Sequence, residues 1–113
     1  MSTSNELAGK VAVVTGAGRN IGRAICLQLS QAGALVVVNA RSNQAEADAV
    51  VREIEAAGGK AVAVIGDIAD PKTADALADA AMKKFGRIDI LVNNAAIRRE
   101  KSIDDISYAD CAK

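Results

Sequence analysis

Residues 15–22 read TGAGRNIG, a glycine cluster set between an apolar run that ends at Thr15 and a stretch with helical periodicity. A turn of this kind suits phosphate binding. The first N–H groups of a helix have no intrahelical acceptor, and the helix dipole is positive there. The spacing G-x-G-x-x-G fails, because Ile21 stands where its third glycine belongs. The register T-G-x-x-x-G-x-G fits better, with Thr15, Gly16 and Gly22 in place and Asn20 at the middle glycine. Asn is the residue next most tolerant of positive φ after glycine, so the turn is expected to keep its course with an amide beside the phosphate site.

Other chemistries are excluded or left without support by composition. The chain has no histidine, which removes the commonest metal ligand and general base and with them zinc hydrolysis and Ser-His-Asp catalysis. Cys26 and Cys111 are far apart and match no metal spacing, which favours free thiols in a reducing compartment; Cys26 reads as helix packing. Fourteen basic and fourteen acidic residues cancel, so no global field draws the chain to nucleic acid or an anionic membrane. One Phe, one Tyr and no Trp leave almost no base-stacking surface. The start, MSTSNELAGK, carries no signal peptide pattern, and no run long enough to span a membrane follows, so a cytoplasmic location is expected.

The glycine turn needs a strand before it and a helix after it, and the sequence supplies both repeatedly. Four Val- and Ile-rich runs, at 10–15, 35–39, 61–66 and 88–94, are continuous rather than alternating, as in parallel strands buried on both faces. Between them lie three helical patterns. The first aligns Ile21, Ala24, Ile25, Leu29 and Ala32 and stops at Gly33. The second aligns Ala47, Val50, Val51, Ile54 and Ala57, with Asn43 and Glu46 spaced as a capping box and Gly58-Gly59 as the stop. The third aligns Ala74, Leu77, Ala78, Ala81 and Phe85, with Asp70 as N-cap, Pro71 at the first helical position and Gly86 as the stop. The alternation predicts an α/β fold, a Rossmann-like doubly wound parallel sheet cut short after about four strands, with residues 1–113 forming a single partial domain. The charged tail, 97–113, reads as a solvated loop with at most one starting helix.

Three segments in order, TGAGRNIG, GDIAD at 66–70 and LVNNAA at 91–96, make the chain resemble the short-chain dehydrogenase/reductase family, whose glycine turn sits at the same strand-to-helix junction. The resemblance implies an oxidoreductase that moves hydride between a nicotinamide dinucleotide and a carbonyl or alcohol carbon. It also implies that Gly16, Gly18, Asn20, Ile21 and Gly22 hold the cofactor, that Asp67 accepts from the adenine amino group with Ile68 beside the ring, and that Asn94 and Ala95 line the cleft. Ala96 departs from the family's final glycine there.

The choice of cofactor is read from the end of the second strand. An NAD site has an acid there for the ribose 2′-hydroxyl. Here the segment is VVVNARSN, with no acid, and Arg41 followed by Ser42 offers a fork for a 2′-phosphate. Arg19 is a second basic residue near the same place, so NADP is expected over NAD.

The resemblance places the family's catalytic Ser and Tyr-x-x-x-Lys in a second half, and no catalytic residue is identified here. Tyr108 and Lys113 are five apart rather than four, and Ser102 and Ser107 read as turn or cap residues. Two functions stay open: the cofactor-binding half of a short-chain oxidoreductase, and a non-catalytic dinucleotide-binding module or truncated product. The fourth strand would be left with an uncovered edge, through which self-association is expected.

Overall fold

The computed structural model describes residues 6–18 and 20–94. Seven elements alternate: β1 (Val11–Thr15), α1 (Asn20–Gln31), β2 (Leu35–Ala40), α2 (Gln44–Ala56), β3 (Ala61–Ile65), α3 (Pro71–Phe85) and β4 (Ile90–Asn93). The strands pair in parallel in the order β3-β2-β1-β4, with Val13 opposite both Val37 and Leu91, and Val37 opposite Val62. From β1 the chain winds outward to β3 and then crosses back to the other side of β1. That reversal makes the gap between β1 and β4 a topological switch point, where open α/β sheets bind ligands at the strands' carboxyl ends.

Side-chain alternation along each strand divides the core into two layers. Val14, Val36, Val38 and Ala40 point toward α1 and α2, where they meet Cys26, Ala47, Val50 and Ile54. Val11, Val13 and Val37 point the other way, onto Leu77 and Ala81 of α3. The expected burial on both faces holds for the inner strands β1 and β2. It fails for β4, whose residues alternate between half-buried and exposed, with Leu91 67% exposed. The helix on that side, α3, lies over β1, β2 and β3.

The predicted caps form. Asn43 Oδ1 accepts from Glu46 N at 3.1 Å, Asp70 Oδ1 accepts from Lys72 N at 2.9 Å, and Pro71 opens α3 while Gly86 closes it in the left-handed region. The predicted helix faces need correction. In α1, Gly22 and Cys26 are buried, whereas Ile21 is 63% exposed and Ala24 is exposed; Ile25, Leu29 and Ala32 are half-buried. The backbone of the first turn comes so near the β1 turn that a residue without a side chain sets the inward direction. In α3 the stripe is Thr73, Leu77 and Ala81, with Ala74 and Ala78 exposed. Thr73 escaped an apolar count, yet it packs against Gly66, where a Cβ would lie 2.5 Å from Thr73 Oγ1. In α2, Ala47, Val50 and Ile54 are buried as expected, and Ala57 is exposed as the C-cap.

Cys26 is a free thiol whose burial pushes its pKa up to about 12. Such a thiol packs and does not react. At the amino ends of the strands, Asp89 N donates to Val11 O at 2.9 Å and Asp89 Oδ2 accepts from Val11 N at 2.9 Å. The hydrogen bond from Arg87, followed by that from Val11 N–H, holds the Asp89 carboxyl below its ordinary range. This clamp fixes β4 against β1 at the end opposite the glycine turn.

Candidate functional site

The glycine turn sits at the carboxyl end of β1, and both neighbouring strands hold it. Gly16 adopts φ 61°, which glycine takes without penalty. From β2, the buried Asn39 accepts from Gly16 N at 3.2 Å through Oδ1, and its backbone carbonyl accepts from Ala17 N at 2.6 Å. The same side chain donates through Nδ2 to Val64 O and Gly66 O, both at 3.1 Å. One amide thus ties the turn to the carboxyl end of β3. Just beyond β4, the buried Asn94 donates through Nδ2 to Gly16 O at 2.9 Å. Thr15 Oγ1, at the end of β1, lies 3.1 Å from Asn93 Oδ1 and 3.4 Å from Val92 O. Asn39 was not among the site residues read from the sequence, although an amide inside the run LVVVNA is itself a signal, because a buried strand carries such a group only where it bonds.

The geometry fits a pyrophosphate. Helix α1 starts at Asn20 and carries no acidic residue in its own first turn, which leaves the positive end of its dipole to an anion. Gly22 lies in contact with the turn before it: a Cβ there would stand 2.3 Å from Gly16 O and 2.8 Å from both Ala17 Cα and Asn94 Nδ2. Asn94 Oδ1 is buried without a hydrogen-bond partner among the described residues, an unfilled acceptor beside the same turn. Among the described residues, no group of three or more Cys, Asp or Glu could hold a metal.

Asn20 takes φ 58°, the left-handed conformation that its place in the glycine register requires. Asn20→Gly is therefore expected to keep any nicotinamide-dinucleotide affinity within about tenfold, the scale of one modest contact of about 1.4 kcal/mol. Asn20→Val, with a β-branched residue at positive φ, is expected to lower stability by roughly 1–3 kcal/mol, as read from urea denaturation.

Of the remaining predicted residues, Arg41, Ser42, Asp67 and Ile68 follow the carboxyl ends of β2 and β3. Arg41 follows β2 and is 82% exposed in its side chain, and its Nε lies 3.3 Å from Asp67 Oδ2. Asp67 Oδ1 accepts from Ala69 N at 2.9 Å, so both carboxylate oxygens already have partners in the chain. Ile68 is half-buried against the α3-side cluster, and Ser42 is exposed beside Arg41. Gly18 lies near Ala40 and the side chain of Glu46, where a Cβ would be 3.4 Å from Ala40 Cβ. Arg19, Ala95 and Ala96 lie outside the described residues, as do Ser102, Ser107, Tyr108, Cys111 and Lys113.

Comparison with known proteins gives concordant matches. A family model described as short chain dehydrogenase matches residues 10–113. An uncharacterized oxidoreductase of Methylorubrum extorquens is 50% identical over 103 residues, 91% of this chain and 42% of that protein. A 3-oxoacyl-[acyl-carrier-protein] reductase of Synechocystis is 49% identical over 83% of this chain and 38% of its own length. A hydroxyacyl-CoA dehydrogenase of Mycobacterium tuberculosis is 47% identical over 94% of this chain and 34% of its own length. Among solved structures, a hydroxysteroid dehydrogenase from Escherichia coli superposes with a TM-score of 0.74 at 46% identity, covering 78% of this chain and 37% of that one. The chain thus spans between 34% and 42% of the length of these proteins.

Proposed function

The chain belongs to the short-chain dehydrogenase family, and on that premise we propose that it is the nicotinamide-dinucleotide-binding part of an oxidoreductase acting on a carbonyl or alcohol. The observation that carries this reading is the glycine turn at the β1–β4 switch point, held by Asn39 from one side and Asn94 from the other. When bound, the dinucleotide supplies the hydride donor or acceptor. The chain's own contribution is to bind and orient it: the backbone of Gly16, Gly18, Asn20, Ile21 and Gly22 takes the pyrophosphate, and Arg41 and Ser42 take the adenosine ribose and its substituent. Asp67 and Ile68 border the adenine, and Asn94 and Ala95 border the nicotinamide side. No residue of 1–113 is assigned a catalytic role.

NADP is the preferred cofactor in this reading, because the end of β2 presents Arg41 and no carboxylate. Arg41→Ala is expected to weaken NADPH binding about tenfold or more and NADH binding much less, as read by fluorescence titration with each. Equal losses for both would remove the assignment of Arg41 to the 2′-phosphate.

The exposed Leu91 and the outer edge of β4 are the surface through which the chain self-associates. Light scattering is expected to show mass rising with protein concentration, and Leu91→Lys to reduce that rise. A constant monomer mass would contradict it. No helix among the described residues is long and apolar enough to cross a membrane.

A further inference from the structure

We propose that Glu46 is a specificity-determining residue whose carboxylate opposes a 2′-phosphate and keeps the site open to NAD(H), an inference that rests on the dinucleotide reading of the glycine turn. The sequence offers no acid at the end of β2, where an NAD-type acceptor is usually found. The fold brings one in from the next element. Glu46 lies in the first turn of α2, with its backbone N–H fixed at 3.1 Å on the Asn43 N-cap. Its side chain reaches back to the glycine turn: the Cβ position at Gly18 is 3.2 Å from both Glu46 Cβ and Glu46 Oε1, and 3.4 Å from Ala40 Cβ. The carboxylate therefore stands in the crevice between the phosphate-binding turn and the last residue of β2. In a doubly wound fold the adenosine ribose and its 2′ substituent occupy that crevice.

A carboxylate there acts on the two cofactors in opposite senses. Toward NAD it is an acceptor for the ribose 2′-hydroxyl; toward NADP it is a like charge facing a phosphate that carries nearly two negative charges. The opposing cation is already shared, since Arg41 Nε lies 3.3 Å from Asp67 Oδ2. The effect follows from the charge and position of Glu46, whatever other contacts its side chain makes. The structure thus sets Arg41 and Glu46 against each other, so the preference for NADP over NAD in the native chain is small.

The test is fluorescence titration of the chain with NADPH and with NADH at low ionic strength, comparing the native sequence, Glu46→Gln and Glu46→Lys. Circular dichroism melting confirms that each variant folds. Glu46→Gln is expected to raise the NADPH-to-NADH affinity ratio about three- to tenfold, and Glu46→Lys to raise it further. A ratio unchanged within about twofold in both folded variants, or shifted toward NADH, would overturn the role of Glu46 while leaving the binding site intact. Failure of the native chain to bind either dinucleotide would overturn the site itself, and this inference with it.

Discussion

Gly22→Ala is expected to abolish saturable NADPH binding and to lower unfolding stability by roughly 2–4 kcal/mol, among the largest single-methyl effects in the chain. The added Cβ would lie 2.3 Å from Gly16 O and 2.8 Å from Ala17 Cα, so the obstruction is backbone and no rotamer change relieves it. It would also lie 2.8 Å from Asn94 Nδ2, the donor that bonds Gly16 O at 2.9 Å. Relief requires α1 to move off the turn, which opens the phosphate site and breaks the link to β4 together. Urea denaturation and NADPH titration measure the two consequences separately. Native-like results in both would mean that the close approach of α1 to β1 is not needed for either.

Asn39→Asp is expected to cost roughly 3–5 kcal/mol at pH 8. The replacement keeps the shape and keeps an acceptor for Gly16 N, but it places a carboxylate oxygen against Val64 O and Gly66 O, both 3.1 Å from the present Nδ2. Two carbonyl acceptors and full burial disfavour the charged form, so the folded-state pKa of the introduced acid rises above its unfolded value of about 3.9. A raised folded pKa contributes stability below the unfolded value, and that stability is lost as pH increases through the folded one. The deficit relative to the native chain is therefore smaller at pH 5 than at pH 8. Urea midpoints at the two pH values test this, and a deficit independent of pH would show that residue 39 is not enclosed by those carbonyls.

The elements were legible in the sequence because each carries its own local signal. Continuous Val and Ile runs mark the strands, of which β1 and β2 are buried on both faces, and Asn43, Asp70, Pro71 and Gly86 act at the ends of α2 and α3 through bonds and φ values made within a few residues. The inward faces of α1 and α3 were less legible. They are set by close approaches to glycine, of Gly22 to the Gly16 backbone and of the Thr73 side chain to Gly66, and an apolar count gives weight to neither glycine nor threonine.

The glycine turn was readable from its spacing, and the left-handed φ of Asn20 agrees with the tolerance expected of that residue. What the spacing did not show is how the turn is held. Asn39 joins residues 16, 64 and 66, and Asn94 reaches back to residue 16, contacts that exist only once parallel strands bring distant segments to one edge. Glu46 escaped for the same reason. Its sequence context identifies a capping position, and only the fold places its carboxylate over Gly18.

The central claim is that the backbone of the β1–α1 turn binds the pyrophosphate of a nicotinamide dinucleotide. Titration of the isotopically labelled chain with NADPH, followed through its backbone amide resonances, tests it most directly. The account predicts saturable shifts concentrated in the amides of residues 16–22, with smaller ones at Arg41 and Asp67. Shifts confined to other parts of the chain, or none at millimolar cofactor, would contradict it.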